Sequence, residues 1–301
     1  MDEQTLRVLE FDQVLQAAAS LAETPLGAAR VLALTPVTEE DSVRLELDRV
    51  AEVLRFLELE EGLDLGGLHD LASFGERLSA EGGYLLPEEL ALFGQTLICL
   101  GRLKRRLGAA GREYPLLGRM AGRLAERPDL IAALDRTLGP GLTIADEASP
   151  ELASLRRRSQ RTKGQVRSRL EELLGRHRSR GLWQDEIITQ RSGRFVLPLK
   201  SERQGGLEGI IHDYSASGQT AFLEPVEVVG LNNELGRLSA QERREIERIL
   251  TRLTDRLRAI GPELFDEVAA AAEVDSLQAR ARLASRLEAI RPELDEGGRL
   301  D

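Results

Sequence analysis

Residues Thr189 to Pro225, TQRSGRFVLPLKSERQGGLEGIIHDYSASGQTAFLEP, form a strand-patterned island in a chain that otherwise reads as helix from end to end. Ile187 to Arg191 and Arg194 to Leu199 flank Ser192-Gly193, a two-residue hairpin signal, and Leu207 to His212 and Thr220 to Glu224 flank the turn YSASGQ. The simplest expectation is four short antiparallel strands, and so small a sheet needs a helix or a partner against one face to be stable.

The segments on either side say what that support is. Leu152, Leu155, Val166, Leu170, Leu173 and Leu174 mark one long helix, with polar residues interrupting its stripe between Ser159 and Thr162. After the island, Leu231, Leu235, Leu238, Ile246, Ile249, Leu253, Leu257 and Ile260 keep steps of three and four, with Glu242 in the gap. Two such helices flanking one short insert are expected to pair antiparallel as an arm of roughly 45 Å, at about 1.5 Å per residue, with the sheet at its tip.

The first arm helix is also where positive charge collects. The whole chain carries a net charge of −10, yet Leu152 to Gly181 holds ten Arg and Lys against two Glu. A uniform negative surface repels a polyanion, whereas a local excess of this size can bind one. Nearly all of the basic charge is Arg, since Lys104, Lys163 and Lys200 are the only lysines. High genomic GC content accounts for that, and so does phosphate recognition, because the planar guanidinium makes bidentate contacts.

Before the arm, Gln4 to about Pro150 is a succession of helical segments: about Gln4 to Ala22, a helix opened by TPLG and running to Leu34, Glu40 to Leu59, Leu68 to Ala80, Pro87 to Gly108, Leu116 to Glu126 and Asp129 to Leu138. Thr38 before Glu39, Glu40 and Asp41 reads as an N-cap followed by an acidic first turn. Val43, Leu47, Val50, Leu54 and Leu57 form a stripe expected to face a core. LTIADEASP reads as an extended connector, and a last helical run from Glu263 to Ile290 precedes a tail, DEGGRLD, that looks like a cut point. Cys99 is the single cysteine, so internal disulfides and cysteine-rich metal sites are excluded, and it is expected as a small buried apolar residue. The acidic start and the lack of a long apolar run predict a cytoplasmic protein with no membrane contact.

These residues carry a family resemblance. The opening LEFDQVL, the connector DEASPELASLRR, the island segments RSGRFVLPLKSE and GIIHDYSASGQTAFLEP, and the helix start VVGLNNEL resemble the MutS family, specifically its type-two bacterial paralogue, MutS-II. VDSLQARARLA followed by RPEL is similar to that family's last helix before its nucleotide-binding domain, and the likeness spans essentially all 301 residues. It implies a mainly α fold with a helical core, long antiparallel lever helices and a small four-stranded antiparallel β clamp at the lever tip. The corresponding segments are 1–150 (core), 151–182 (ascending lever), 183–226 (clamp), 227–260 (descending lever) and 261–301 (helical return). The resemblance also implies a homodimeric parent ATPase, using ATP and Mg, whose clamps close round branched or junction DNA and which carries a C-terminal Smr endonuclease domain. Suppression of homologous recombination and action on collided ribosomes are the roles associated with it.

The chemistry of this segment is narrower. A P-loop needs G-x-x-x-x-G-K-[ST], and the sequence has no Gly-Lys pair, so no nucleotide cofactor is expected here. Phe56-Leu57-Glu58 and Phe265-Asp266-Glu267 match the wider family's Phe-x-Glu mismatch wedge by letters only, because both fall inside amphipathic helices. His212, Asp213, Ser215 and Ser217 suggest a hydrolase triad, but adjacent residues on one strand and turn rarely face one another, and turn hydrogen bonding with a left-handed Gly218 is the expectation. His69, His177 and His212 are too scattered for a metal. No catalytic residue or metal is therefore expected. The candidate DNA-binding residues are Arg156, Arg157, Arg158, Arg161, Lys163 and Arg167 on the arm and Arg191, Arg194, Lys200 and Arg203 in the clamp, making contacts that position without reading sequence. Three alternatives stand beside this: a solvated helix face whose arginines pair with Glu242, Glu245, Glu247 or with the acidic core; a ribosome- or rRNA-binding arm; and a dimerisation arm whose apolar seam stays exposed until a partner covers it.

Overall fold

A computed structural model describes residues 3–60, 62–80 and 82–294. The tail proposed as a cut point, 295–301, lies outside the described residues. In chain order the helices are α1 (Glu3–Val8), α2 (Phe11–Ala19), α3 (Pro25–Leu32), α4 (Glu40–Leu59), α5 (Gly75–Ser79), α6 (Pro87–Ala110), α7 (Pro115–Ala121), α8 (Pro128–Thr137) and α9 (Pro150–His177). Strands β1 (Thr189–Arg191), β2 (Arg194–Lys200), β3 (Gly209–Tyr214) and β4 (Thr220–Pro225) follow, then α10 (Val226–Arg258) and α11 (Gly261–Arg286). Prolines set many of the helix starts. Pro25, Pro87, Pro115, Pro128, Pro150 and Pro262 each sit in the first two helical positions, where the missing N–H would have had no intrahelical partner. The chain divides into two units, Met1–Thr143 with Thr251–Asp301, and Ile144–Leu250.

The first unit is organised by α11. Its Val, Leu and Ala residues are distributed around the whole helix, and a helix apolar on all sides belongs in the interior; Val274, Leu277, Ala279 and Ala281 are all buried. Its buried polar groups act as fasteners. The Asp275 carboxylate, fully buried, accepts hydrogen bonds from the Glu23 and Thr24 amides and the Thr24 hydroxyl at 2.9, 2.8 and 2.6 Å. Gln278 holds Leu63 by both its amide and carbonyl, and Glu267 takes Arg127 through two bonds of 2.7 and 2.8 Å. Thr24 in turn caps α3 through the Gly27 amide.

Several expectations are corrected in this unit. The helix expected over Gln4 to Ala22 is broken where Glu10 turns left-handed (φ 54°), giving α1 and α2. Of Leu68 to Ala80 only the 3-10 turn Ala72–Phe74 and the short α5 are helical. The stripe from Val43 to Leu57 is only half-buried, and α4 instead turns Glu52, Val53 and Phe56 fully inward, because the Glu52 carboxylate is needed to accept the Leu117 amide at the start of α7. The residue preceding α4 is Glu39, without a side-chain cap on the backbone, rather than Thr38. Phe56 packs edge-on against Tyr114 in the interior, the bland alternative to a wedge.

In the second unit α9 and α10 pair antiparallel, as the register of their cross-links shows: Ser149 with Glu245, Arg156 with Glu242, Arg158 with Glu234. Ser149 also caps α9 through the Leu152 amide at 2.9 Å. Val166, Leu170, Leu173 and Leu174 of α9 and Val228 and Leu235 of α10 share one core with Trp183, Phe195, Leu197, Leu199 and Leu223 of the sheet region. The seam is therefore covered within the chain, which corrects the alternative in which it waits exposed for a partner. The arm helices supply the face that so small a sheet requires.

The sheet has strand order β1-β2-β4-β3, all neighbours antiparallel. Ser192 and Gly193 turn the first hairpin with φ of 49° and 77°, positive at both central positions as a tight hairpin of right-handed twist demands. A bulge between Ile211 and Asp213 lets β3 follow β4 with His212 in the extra position.

Candidate nucleic-acid interface

Along α9 the six candidate basic residues separate into two kinds. Arg156 is half-buried and committed to the fold: its guanidinium donates to Glu242 (2.8 Å), Asp146 (2.6 Å) and the Ile144 carbonyl (2.7 Å). Burial alone would lower its pKa, but the hydrogen bonds to the two carboxylates raise it, so the charge is fixed. Arg158 pairs with Glu234 at 2.9 Å. Arg157, Arg161, Lys163 and Arg167 are exposed and form no ion pair among the described residues.

Their geometry follows from helical spacing. Arg157 and Arg161 lie along one line, Lys163 and Arg167 along another, each pair four residues apart, and the lines are about 120° apart on the solvent side at 100° per residue. Gly164 lies between the two lines, and nothing lies within 4 Å of where its side chain would be. One phosphate strand can thus meet one line of cations at a time.

In the sheet, Arg194 is structural. It donates twice to Glu224, at 2.7 and 2.9 Å, and once to Asn233 at 2.6 Å. Glu224 is fully buried, which by itself would raise its pKa; hydrogen bonds from Asn232, His212 and Arg194 outweigh this and hold it below the ordinary carboxylate range. Asn232 does more. β4 ends at Pro225, and the Asn232 side chain binds both the N–H (3.1 Å) and the carbonyl (3.0 Å) of Phe195 where the ladder stops. Glu224, Asn232 and Asn233 were missed as site residues; the signal was present as a lone acid in the apolar run TAFLEP and as the asparagine pair in VVGLNNEL.

Arg191 lies with its Cζ 3.7 Å from the centroid of the Phe222 ring, and its Nε is 3.3 Å from Asp213. Lys200 is half-buried and Arg203 exposed, and neither forms an ion pair among the described residues. His212 bonds Glu224 at 2.5 Å rather than any serine, so it is not the base of a triad. Ser215 accepts from the Thr220 amide and sits 3.3 Å from Ser217, the Asp213 carboxylate accepts from the Tyr214 amide, and Gly218 has φ 70°, all of which is turn chemistry.

The sequence has no Gly-Lys pair, so a P-loop cradle for ATP and Mg is not among these residues. No helix among the described residues is long and apolar enough to cross a membrane.

A scan against family models finds no match. Similar proteins are found among curated ones. The chain is 35% identical over 295 residues to Endonuclease MutS2 of Pelotomaculum thermopropionicum, covering 98% of this chain and 38% of that protein. It is 36% identical over 299 residues to Endonuclease MutS2 of Thermomicrobium roseum, covering 98% and 37%, and 32% identical over 301 residues to that of Finegoldia magna, covering 99% and 38%. The chain thus spans well under half the length of the relatives it matches. An alignment over nearly every residue, together with a helical fold that holds one small four-stranded sheet between paired helices, places the chain in the MutS2 family.

Proposed function

We propose that this chain is the clamp and lever region of a MutS2 protein, that it binds the phosphate backbone of branched DNA without reading sequence, and that it serves to restrain homologous recombination. The observation that carries this reading is the division of the basic residues. Arg156, Arg158 and Arg194 are tied into the fold, while Arg157, Arg161, Lys163 and Arg167, with Lys200 and Arg203 in the sheet region, are left with no carboxylate partner among the described residues. Unpaired surface cations in a chain of net charge −10 are an electrostatic attraction for a polyanion that folding does not require. The contacts are made to phosphate, so they fix position and leave sequence unread.

Endonuclease action, ATP and Mg use and homodimerisation are assigned by the same reading to the longer protein, whose relatives are named endonucleases. No catalytic step falls on the residues described.

Binding of the chain to linear, flap and four-way junction DNA across a salt series tests this. Six cations in contact would give a log-log slope no steeper than about −5, since each neutralised phosphate contributes about −0.9. Replacing Arg157, Arg161, Lys163 and Arg167 by Glu should abolish binding at low salt. Binding unchanged in that variant overturns the assignment, and so does capture of ribosomes with no measurable affinity for DNA, which would move the same cations to rRNA.

A further inference from the structure

The remaining basic residue of the sheet, Arg191, is neither tied into a buried ion pair nor free. It belongs to β1, at one edge of the sheet, yet its guanidinium lies over Phe222 of β4 and its Nε reaches Asp213 of β3, the opposite edge. The separation of 3.7 Å between Cζ and the ring centroid requires the guanidinium to lie flat. An edge-on approach through an N–H would add a C–N bond of roughly 1.3 Å to the distance. The plane is held in the other directions too, because Nη1 donates to the Gln190 carbonyl at 2.9 Å and Nε faces the Asp213 carboxylate at 3.3 Å. The side chain nevertheless keeps 36% of its surface exposed.

Phe222 is not part of the core that the sheet shares with the arm helices, whereas its strand neighbour Leu223 is, so the stack lies on the sheet face away from that core. The cross-strand partner of Phe222 is Pro198, and two residues along the same strand, on the same face, is Lys200. One face of a rigid cationic plate is thus covered by an aromatic ring, the side chain as a whole keeps about a third of its surface exposed, and a further cation stands one pair of residues along the strand.

We propose that the outer face of Arg191, backed by Phe222, is a stacking platform for an unpaired nucleobase, with Lys200 taking the adjoining phosphate. The proposal rests on the nucleic-acid reading above and deepens it, by naming the feature of a branched substrate that the clamp engages. Arg planes stack on splayed bases as aromatic rings do. A plate already immobilised by Phe222, Asp213 and Gln190 loses little freedom when a base settles on it. Paired bases inside a duplex offer no free face, so the platform favours single-stranded gaps, flaps and junction centres.

The test uses the whole chain and a single strand of roughly twelve nucleotides, within the usual site size for single-strand binders, carrying one 2-aminopurine whose fluorescence falls on stacking, beside the same sequence as a duplex and as RNA. The wild type should quench the single strand saturably. Arg191→Lys keeps the charge but removes the plate, so it should lose the quenching and bind the single strand about tenfold more weakly, the size expected for one stacked base. Its duplex affinity should stay within about twofold, because phosphate contacts need only charge. Phe222→Leu, which keeps the apolar backing but not the ring, should act in the same direction, with melting curves confirming that both variants fold. Equal quenching in wild type and Arg191→Lys overturns the platform and leaves Arg191 as a latch between the sheet edges. Duplex binding with no single-strand quenching in the wild type overturns the platform alone. Binding to neither form overturns both this proposal and the function it rests on, while quenching confined to the RNA strand supports the platform and overturns DNA as its target.

Discussion

Glu224 is fully buried and still ionised, because Arg194, Asn232 and His212 all direct hydrogen bonds at one carboxylate. Its pKa lies below the ordinary 4.5 despite burial, so it contributes stability that is present above that value and lost as pH falls beneath it through the folded pKa. Glu224→Gln should therefore cost about 3 kcal/mol near neutral pH, the scale for removing one member of a buried charge pair, and should flatten the fall in melting temperature below pH 4.5. A variant that melts as the wild type does at both pH values would show that the cluster is dispensable. Cys99 offers a second check at this scale: burial pushes its thiol up to about 11, so a thiol reagent at mildly alkaline pH should modify it only as fast as the unit around it unfolds. Neither environment is local in sequence. Cys99 was legible as an apolar residue in an apolar run, whereas Glu224 acquires its meaning from Arg194 on another strand and Asn232 on the following helix.

Among the elements, the first hairpin and α9 show opposite uses of glycine. Gly193 occupies φ 77°, so Gly193→Ala should destabilise the hairpin by about 1 kcal/mol, and Ser192→Asn, placing a residue that tolerates φ of 49°, should stabilise it slightly. Gly164 is in the middle of a long helix with nothing within 4 Å, so Gly164→Ala should stabilise by about 0.5–1 kcal/mol in thermal melts. If that variant also binds DNA more weakly, the small residue between the two lines of cations is needed for close approach. Most elements were legible: the paired strands, both arm helices and the proline-led helix starts all follow from period and punctuation. The failures were local conflicts. The periodic pattern across Glu10 continues as if the helix did, yet the backbone reverses there, and the segment from Leu68 is held by the Leu71 backbone and Asp70 caps rather than by a continuous helix.

At the scale of the molecule the division into two units predicts calorimetric unfolding in more than one transition, with Glu224→Gln lowering only the one that belongs to Ile144–Leu250. A single transition shifted whole would show that α10, which runs through residue 250, couples them. The sequence by itself determined the fold class, the position of the sheet between two arm helices, the accumulation of basic residues on the first of these and the absence of a P-loop, because hydrophobic period, turn residues, charge and motif are local properties of the chain. Which of those basic residues remain available was decided only by the tertiary structure. Arg156 and Arg157 are neighbours of identical chemistry, yet one is turned by the helical step into two carboxylates and a carbonyl while the other is turned to solvent. Likewise Arg191 and Arg194 flank one turn, and it is the register of the sheet, with the direction each side chain leaves it, that places one in a buried ion cluster and the other flat upon an aromatic ring.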